Sequence, residues 1–329
     1  MKLHMPRRGL IVGKFYPPHL GHKHLIDFAR SRVDELSVIV CQKPGESPRG
    51  DLRAAWLREI HPGAQVLLID DVYDEQDSRM WAENSVRWLG RVPDVVFTSE
   101  DYGAQFAHFL GCEHILVDKA RIAVPISGTR VRSNPLGCWD FLEPPVRGWY
   151  AKRICLVGAE STGKTTLARM LAERYQTVWV PEFGREYSER KLAEDGEYNW
   201  RSEEFTLIAK TQCEREDEAA RRANKVLICD TDAFATGVWH RRYMRERSPE
   251  VEAIAAAHRR PDLYLLTDVN TPFVQDGTRD GALIRDWMHE AFIAELTAQE
   301  RQFQFISGSL HERFRKAVEC IDGVIAGKQ

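Results

Sequence analysis

The octapeptide Gly158-Ala159-Glu160-Ser161-Thr162-Gly163-Lys164-Thr165 fits the phosphate-binding pattern G-x-x-x-x-G-K-[ST]. In such a loop the glycines let backbone N–H groups wrap an anion. The lysine reaches the outer phosphate oxygens, and the Thr165 hydroxyl can sit on Mg²⁺. The flanks match this reading. Arg153 to Val157 reads as an apolar strand, and Leu167, Met170, Leu171 and Tyr175 recur at helical spacing. Strand, glycine loop and helix N-terminus together present a dipole and free N–H groups to phosphate. The backbone from Gly158 through Glu160, Ser161, Thr162 and Gly163 to Thr166 is therefore expected to hold a nucleoside triphosphate.

Two carboxylates further along suit the same chemistry. Lys225 to Cys229 is an apolar strand that delivers Asp230 at its tip, the usual position of a second Mg²⁺ anchor after a phosphate loop. Thr177 to Val180 ends at Pro181-Glu182, with Arg185 and Tyr187 following. Glu182 there can either complement the dipole of a helix that starts beside it or receive the proton of a hydroxyl acceptor, and Asp232 is the next candidate for the second role. The polar segment from Asp268 to Gly281 carries Gly277, Gly281 and Arg279, with Arg285 just beyond, and suits a lid over the transferred phosphoryl group.

In the first half, His19 and His22 lie three apart across Gly21, beside the start of a helix. The glycine removes bulk, so both rings can donate to phosphate oxygens alongside the helix dipole. A metal is the rival reading, without a third His or Cys ligand nearby. A second stretch, Pro125 to Arg132, sets Ser127 and Thr129 at a helix start with Arg130 and Arg132 in its first turn. Ser127 could simply cap. Two arginines there oppose the dipole unless an anion pairs them.

The elements that must carry these residues alternate along the chain. Strands are expected at Gly9–Phe15, Leu36–Cys41, Gln65–Ile69, Val95–Thr98 and His114–Val117, with helices at Leu52–Ile60, Met80–Leu89 and Tyr102–Leu110. That alternation predicts a doubly wound parallel sheet, with ligands beyond the carboxyl ends of its strands. The second half repeats the pattern, with further strands at Asp262–Thr267 and Phe303–Ser307 and a last helix containing Phe314, Val318 and Ile321. Residues 201–223 read as a long, charged, solvated helix. Pro144-Pro145 reads as linker after a short packed helix at Trp139 and Phe141. The fold class is α/β with two such domains, residues 1–148 and 149–329.

Residues 9–132 resemble the nucleotidyltransferase superfamily, which pairs an H-x-G-H motif with a later I-S-S-T-x-x-R motif. Gly13-Lys14-Phe15, Pro17, His19, Gly21 and His22 match the first in full. In the second, Ser127, Thr129 and Arg132 are in register, and Gly128 stands where the motif has serine. With a phosphate-loop kinase following, the whole chain resembles the bifunctional nicotinamide-nucleotide adenylyltransferase/ribosylnicotinamide kinase family. The resemblance implies that ATP phosphorylates nicotinamide riboside in the C-terminal half. The N-terminal half would then join the mononucleotide (NMN) to AMP from ATP, giving NAD and pyrophosphate. Lys14, His19, His22 and Arg132 would serve the adenylyl transfer, with Gly13, Phe15, Gly21, Ser127 and Thr129 at the nucleotide. Lys164 and Glu182 would serve the kinase, with Thr165 and Asp230 on Mg²⁺, Arg279 at ATP, and Arg185, Tyr187 and Asp232 at the acceptor. Family members with a DNA-binding helix-turn-helix repress transcription. About eight residues precede the first strand here, so DNA binding is not expected.

Composition bounds the remainder. The 329 residues are 43% hydrophobic and 29% charged, with a formal net charge of −3, which gives no basic footprint for coating nucleic acid. The seven cysteines include no C-x-x-C pair. Cys41, Cys155 and Cys229 sit in apolar runs, which points to reduced thiols and a cytoplasmic address rather than zinc or disulfides. The same folds acting on another substrate pair remain an alternative, such as pantetheine-phosphate or cytidylyl transfer beside another nucleoside kinase. So does a sensor that reports NAD status to a vitamin transporter at the membrane, and homo-oligomerisation stays open. Trp56, Trp81 and Trp88 could stack on a pyridinium or lie in the core.

Overall fold

The computed structural model describes residues 5–74, 76–195, 199–270 and 284–327. The chain divides into two compact units, Met1–Val146 and Arg147–Gln329. In the first, the order is β1 (Arg8–Gly13), α1 (Leu20–Arg30), β2 (Glu35–Gln42), α2 (Gly50–Ile60), β3 (Gln65–Asp70), α3 (Ser78–Leu89), β4 (Val95–Thr98), α4 (Gly103–Leu110), β5 (Glu113–Leu116) and α5 (Gly128–Ser133). A 3₁₀ turn, Leu136–Phe141, follows, and then α6 (Pro144–Tyr150). The sheet runs β3-β2-β1-β4-β5, every pair parallel.

Alternation along the strands feeds two apolar layers. Ile11, Val38, Val40 and Phe97 pack with Ile26 and Leu57 of α1 and α2. Leu10, Ile39, Cys41 and Val96 pack on the opposite face with Ala82, Phe106 and Leu110 of α3 and α4. Strand order reverses about β1, so the crevice beyond its carboxyl end is where such a sheet takes a ligand.

The second unit contains β6 (Lys152–Val157), α7 (Lys164–Arg174), β7 (Trp179–Val180), α8 (Phe183–Asp195), α9 (Ser202–Arg222), β8 (Val226–Asp230), α10 (Ala233–Met244), α11 (Pro249–Ala257), β9 (Leu263–Thr267), α12 (Ile284–Ala298), β10 (Phe303–Ile306) and α13 (Leu310–Ile325). Its sheet is also parallel, in the order β10-β9-β6-β8-β7. Ile154, Leu156, Ile228 and Leu265 pack under Leu167, Leu171, Ala317 and Ile321 of α7 and α13.

Three expectations change. The first strand stops at Gly13 rather than Phe15, because Phe15 turns into the left-handed region (φ +46°) and a cis Tyr16-Pro17 bond follows. Pro144-Pro145 starts a helix instead of a linker; proline at a first helical turn loses no hydrogen bond that would otherwise form. Helix α9 is not a solvated face. Phe205, Ile208, Ala209, Gln212, Cys213 and Glu216 make a buried stripe at helical spacing, and only its other side is exposed charge. Among the described residues no helix is long and apolar enough to cross a membrane.

Candidate functional site

Beyond β1 a cleft of about 710 Å³ is lined by Gly13, Lys14, Phe15, His19, Gly21, His22, Ser127, Gly128, Thr129 and Arg132, bringing both first-half motifs to one place. His19 is the N-cap of α1. Its Nδ1 accepts from the amides of Gly21 (3.1 Å) and His22 (3.3 Å), so the ring's proton sits on Nε2. The two imidazoles stack at 3.8 Å. A Cβ at Gly21 would lie 3.0 Å from the His19 ring, so a larger residue there would press on the imidazole. Burial, and then the positive charge of Arg121, push His19 down to about 4. His22 is held well below its ordinary value by burial and then by His19. Both rings are therefore neutral donors at pH 7, not the cations that charge neutralisation would call for. Fixed positive charge in the cleft comes from Lys14, Arg121 and Arg132.

The turn between β1 and α1 is braced from below. Arg53, fully buried, donates to the Lys14 carbonyl and pairs with Glu46. The Lys14 and Lys43 ammonium groups lie 3.9 and 3.6 Å from Asp71, whose other carboxylate oxygen is buried without a partner. Arg132 lies over the Tyr16 ring (4.6 Å) and donates to the Tyr16 carbonyl and to Thr129 Oγ1 (3.1 Å). Ser127 caps α5 by accepting from the Arg130 amide. Gly128 has a steric reason: a Cβ there would lie 2.5 Å from the Tyr16 carbonyl oxygen. Of the three tryptophans considered, Trp81 lines the cleft. Trp56 is core, and Trp88 packs against Trp81.

The second unit carries a separate cleft of about 440 Å³, lined by Glu160, Ser161, Thr162, Gly163, Lys164, Thr165, Thr166, Glu182 and Arg185. Gly158 adopts φ +140° against Thr267, and a Cβ would sit 2.5 Å from its hydroxyl. Gly163 (φ +82°) turns the loop into α7. Lys164 Nζ donates to the carbonyls of Gly158 (3.0 Å) and Ala159 (2.8 Å), which holds its charge over the loop. The Thr165 hydroxyl donates to Asp230 Oδ2 at 2.5 Å, and Asp230 Oδ1 is buried without a partner. A hydroxyl beside a carboxylate oxygen with an unused acceptor is a hard-oxygen pair that suits Mg²⁺, with phosphate and water completing its shell. Among the described residues no group of three or more His, Cys, Asp or Glu side chains could hold a metal alone.

Glu182 stands at the end of β7, and its carboxyl is pushed up to about 7, chiefly by burial and with Asp230 adding repulsion; Lys164 opposes the rise. Arg185 lines the cleft and pairs with Glu189 (2.9 Å). Two expected acceptor residues point elsewhere. Asp232 caps α10 through the Ala235 amide (2.9 Å) and accepts from the Tyr264 hydroxyl (2.6 Å), buried away from the cleft. The Tyr187 hydroxyl donates to Glu204 (3.0 Å), which Lys191 also holds. Arg279 lies outside the described residues. Arg285 is buried at the start of α12 and donates to the Val269 carbonyl (2.9 Å).

Beside Glu182 the cleft has an aromatic wall that no motif announces. Trp200, Phe205, Trp239 and Tyr243 line it with Ile208, Gln212 and Thr236. Trp200 lies 5.0 Å from Phe205 and 5.5 Å from Tyr243, and Trp239 stacks on Tyr243 at 6.3 Å. Gln212 accepts from the Phe183 amide (3.0 Å), tying the wall to the residue next to Glu182.

Comparison with known proteins finds a separate family match in each unit. Residues 10–134 match the cytidylyltransferase-like family model and residues 153–313 the AAA domain model. The trifunctional NAD biosynthesis/regulator protein NadR of Escherichia coli K12 is 29% identical over 97% of this chain and 84% of its own length. The nicotinamide-nucleotide adenylyltransferase of Thermococcus onnurineus is 27% identical, over 54% of this chain and all of its own. A crystal structure of a NadR protein in complex with NR superposes with a TM-score of 0.81 at 20% identity, covering 96% of this chain and 95% of that one. Over 97% of its length the chain is similar to the NadR proteins, with a cytidylyltransferase-like match in its first unit and an AAA match in its second.

Proposed function

We propose that this chain makes NAD in two steps, with nicotinamide riboside phosphorylated in the second unit and the product adenylylated in the first. The observation that carries the reading is Glu182, poised near neutrality between the phosphate loop and an aromatic wall. The riboside is a hydroxyl acceptor with a cationic pyridinium ring. An aromatic wall holds such a ring by stacking and cation–π attraction, contributing about 0.5–2 kcal/mol. Glu182 then takes the proton of the riboside 5′-hydroxyl as its oxygen attacks the γ-phosphorus. The bond from that phosphorus to the β-bridging oxygen breaks, and ADP leaves. A base with a value near 7 is suited to this transfer at neutral pH. Lys164 and the loop amides fix the phosphates. Thr165 and Asp230 would hold Mg²⁺, which supplies charge neutralisation on the β- and γ-phosphate oxygens.

In the first unit a phosphate oxygen of the mononucleotide attacks the α-phosphorus of a second ATP, and pyrophosphate departs. No side chain need become covalently bonded. Lys14 and Arg132 contribute positive charge, and the Nε2–H of His19 donates in a fixed direction because Nδ1 is committed to the cap. This is positioning and preorganised electrostatics. ATP labelled at separate phosphates tests the pair. Label at the γ-phosphate should appear in the mononucleotide, and label at the α-phosphate in NAD. Transfer of γ-label to another nucleoside but not to the riboside would overturn the substrate assignment.

A further inference from the structure

The second unit has another cavity, of about 310 Å³, that the two-step reading does not use. Helix α10 forms the wall between it and the aromatic cleft. Thr236, Trp239 and Tyr243 face the cleft, while Phe234, Gly237 and Arg241 face this cavity. Its floor is apolar, made by Phe234, Val238 and Val251, and its polar lining holds four arginines against two glutamates. Glu295 takes both Arg241 (2.8 Å) and Arg247, and Glu252 also takes Arg247 (2.7 Å). Among the described residues, the other two arginines, Arg260 and Arg301, form no ion pair.

Arg301 is the unusual one. Its residue is 8% exposed, and its guanidinium lies 4.3 Å above the Phe234 ring. Among the described residues its N–H groups go to neutral acceptors, Gln299 Oε1 (3.1 and 2.9 Å) and the Tyr264 hydroxyl (2.6 Å). The buried Asp232 feels the Arg301 charge across the Tyr264 hydroxyl, which donates to Asp232, but no carboxylate among the described residues touches the guanidinium itself. A buried guanidinium ordinarily has a carboxylate in direct contact, because an uncompensated charge out of water is costly. Here the charge lines a cavity with an apolar floor instead.

We propose that this cavity is a binding site for a small organic anion, a carboxylate or phosphate monoester carried on a planar apolar body. The anionic group pairs with Arg301 and Arg260, and the body lies on Phe234, Val238 and Val251. Guanidinium geometry suits both kinds of anion, since two parallel N–H donors meet two oxygens.

The test is calorimetric titration of the full chain, without ATP or riboside, so that it does not depend on either proposed reaction. The probes are benzoate, phenyl phosphate and, as the neutral control, benzyl alcohol. Saturable binding of at least one anion in the micromolar to low millimolar range is expected, with benzyl alcohol at least ten-fold weaker. The benzoate and phenyl phosphate arms decide which anionic group the site takes. Arg301→Gln should weaken the anion at least ten-fold. Ala256→Trp, at the exposed rim of the cavity, should block binding while leaving the buried network intact, so it decides the matter should Arg301→Gln fail to fold. No saturable anion binding overturns the proposal, as does anion binding that Ala256→Trp leaves unchanged or that benzyl alcohol equals.

Discussion

The Thr165 hydroxyl and Asp230 Oδ2 lie 2.5 Å apart, joining the first turn of α7 to the tip of β8, while Asp230 Oδ1 is buried with nothing to accept from. Burial raises the Asp230 carboxyl, and the Lys164 charge opposes that rise. A carboxylate kept in this state gains most when a cation arrives. Asp230→Asn should therefore raise the Mg²⁺ concentration needed for half-maximal kinase rate and weaken ATP binding with any acceptor. Glu182→Gln should leave both unchanged and slow phosphoryl transfer by roughly 10²–10⁴. Mg²⁺ titrations and ATP affinity measured on both variants check the assignment. If Glu182→Gln turns over riboside at the wild-type rate, Glu182 is only a carboxylate at a helix start.

The same residue fixes a pH dependence. A base must be unprotonated, and the Glu182 carboxyl is raised to about 7. The kinase kcat/KM should fall along an acid limb whose midpoint lies at or below about 7, since a cation on Asp230 would remove part of the repulsion that raises Glu182, and this limb should be absent in Glu182→Gln. The pH profile of each, taken with saturating Mg²⁺, is the measurement.

The histidine pair gives a stability prediction for the first unit. His19 is pushed down to about 4 from an ordinary value near 6.5. Between those values the unfolded chain binds the extra proton, so stability falls as pH drops through that window. At about 1.4 kcal/mol per pH unit the loss amounts to roughly 3 kcal/mol. His19→Asn keeps a good capping side chain and should reduce the slope of denaturation midpoint against pH between about 4 and 6.5 without abolishing it, because burial also holds His22 below its ordinary value. An unchanged slope would mean that His19 titrates normally in the folded chain.

Much of this site was legible because its residues come in runs. The phosphate loop, Gly13 to His22, and Ser127 to Arg132 each announce themselves in a few consecutive positions, and alternating apolar runs imply the two parallel sheets. The aromatic wall was not legible, since Trp200 lies just before α9, Phe205 in its first turn, and Trp239 and Tyr243 in α10, with a strand between. A signal did exist in the 205, 208, 209, 212, 213, 216 stripe, but the heavy charge on the other side of α9 masked it. Asp232 misled for the opposite reason. Strand-end aspartates cap helices as readily as they bind ligands, and only the Ala235 and Tyr264 contacts decide between the two.

Gly128 is another residue whose type only its surroundings in the fold explain. The resembling motif has serine there, yet a Cβ would meet the Tyr16 carbonyl at 2.5 Å. Gly128→Ser should therefore cost about 1–3 kcal/mol in stability through overpacking and slow NAD formation from supplied mononucleotide, without affecting the kinase. A stable variant of full adenylyltransferase activity would show that the Tyr16 turn yields easily.

For the aromatic wall, Trp239→Ala should raise the KM for riboside by about 3- to 30-fold, the range of a cation–π contact, and leave the KM for ATP alone. Steady-state kinetics with each substrate varied in turn checks this.

The proposed function is two reactions run in series by two separate sites, and product analysis of two variants tests it most directly. Given riboside, ATP and Mg²⁺, the wild-type chain should release the mononucleotide and then NAD. His22→Ala should accumulate the mononucleotide, with NAD formation slowed by roughly 10²–10³. Lys164→Ala should make neither product from riboside, yet convert supplied mononucleotide to NAD at near wild-type rate. Loss of both activities from either substitution, in chains shown to be folded, would contradict the account.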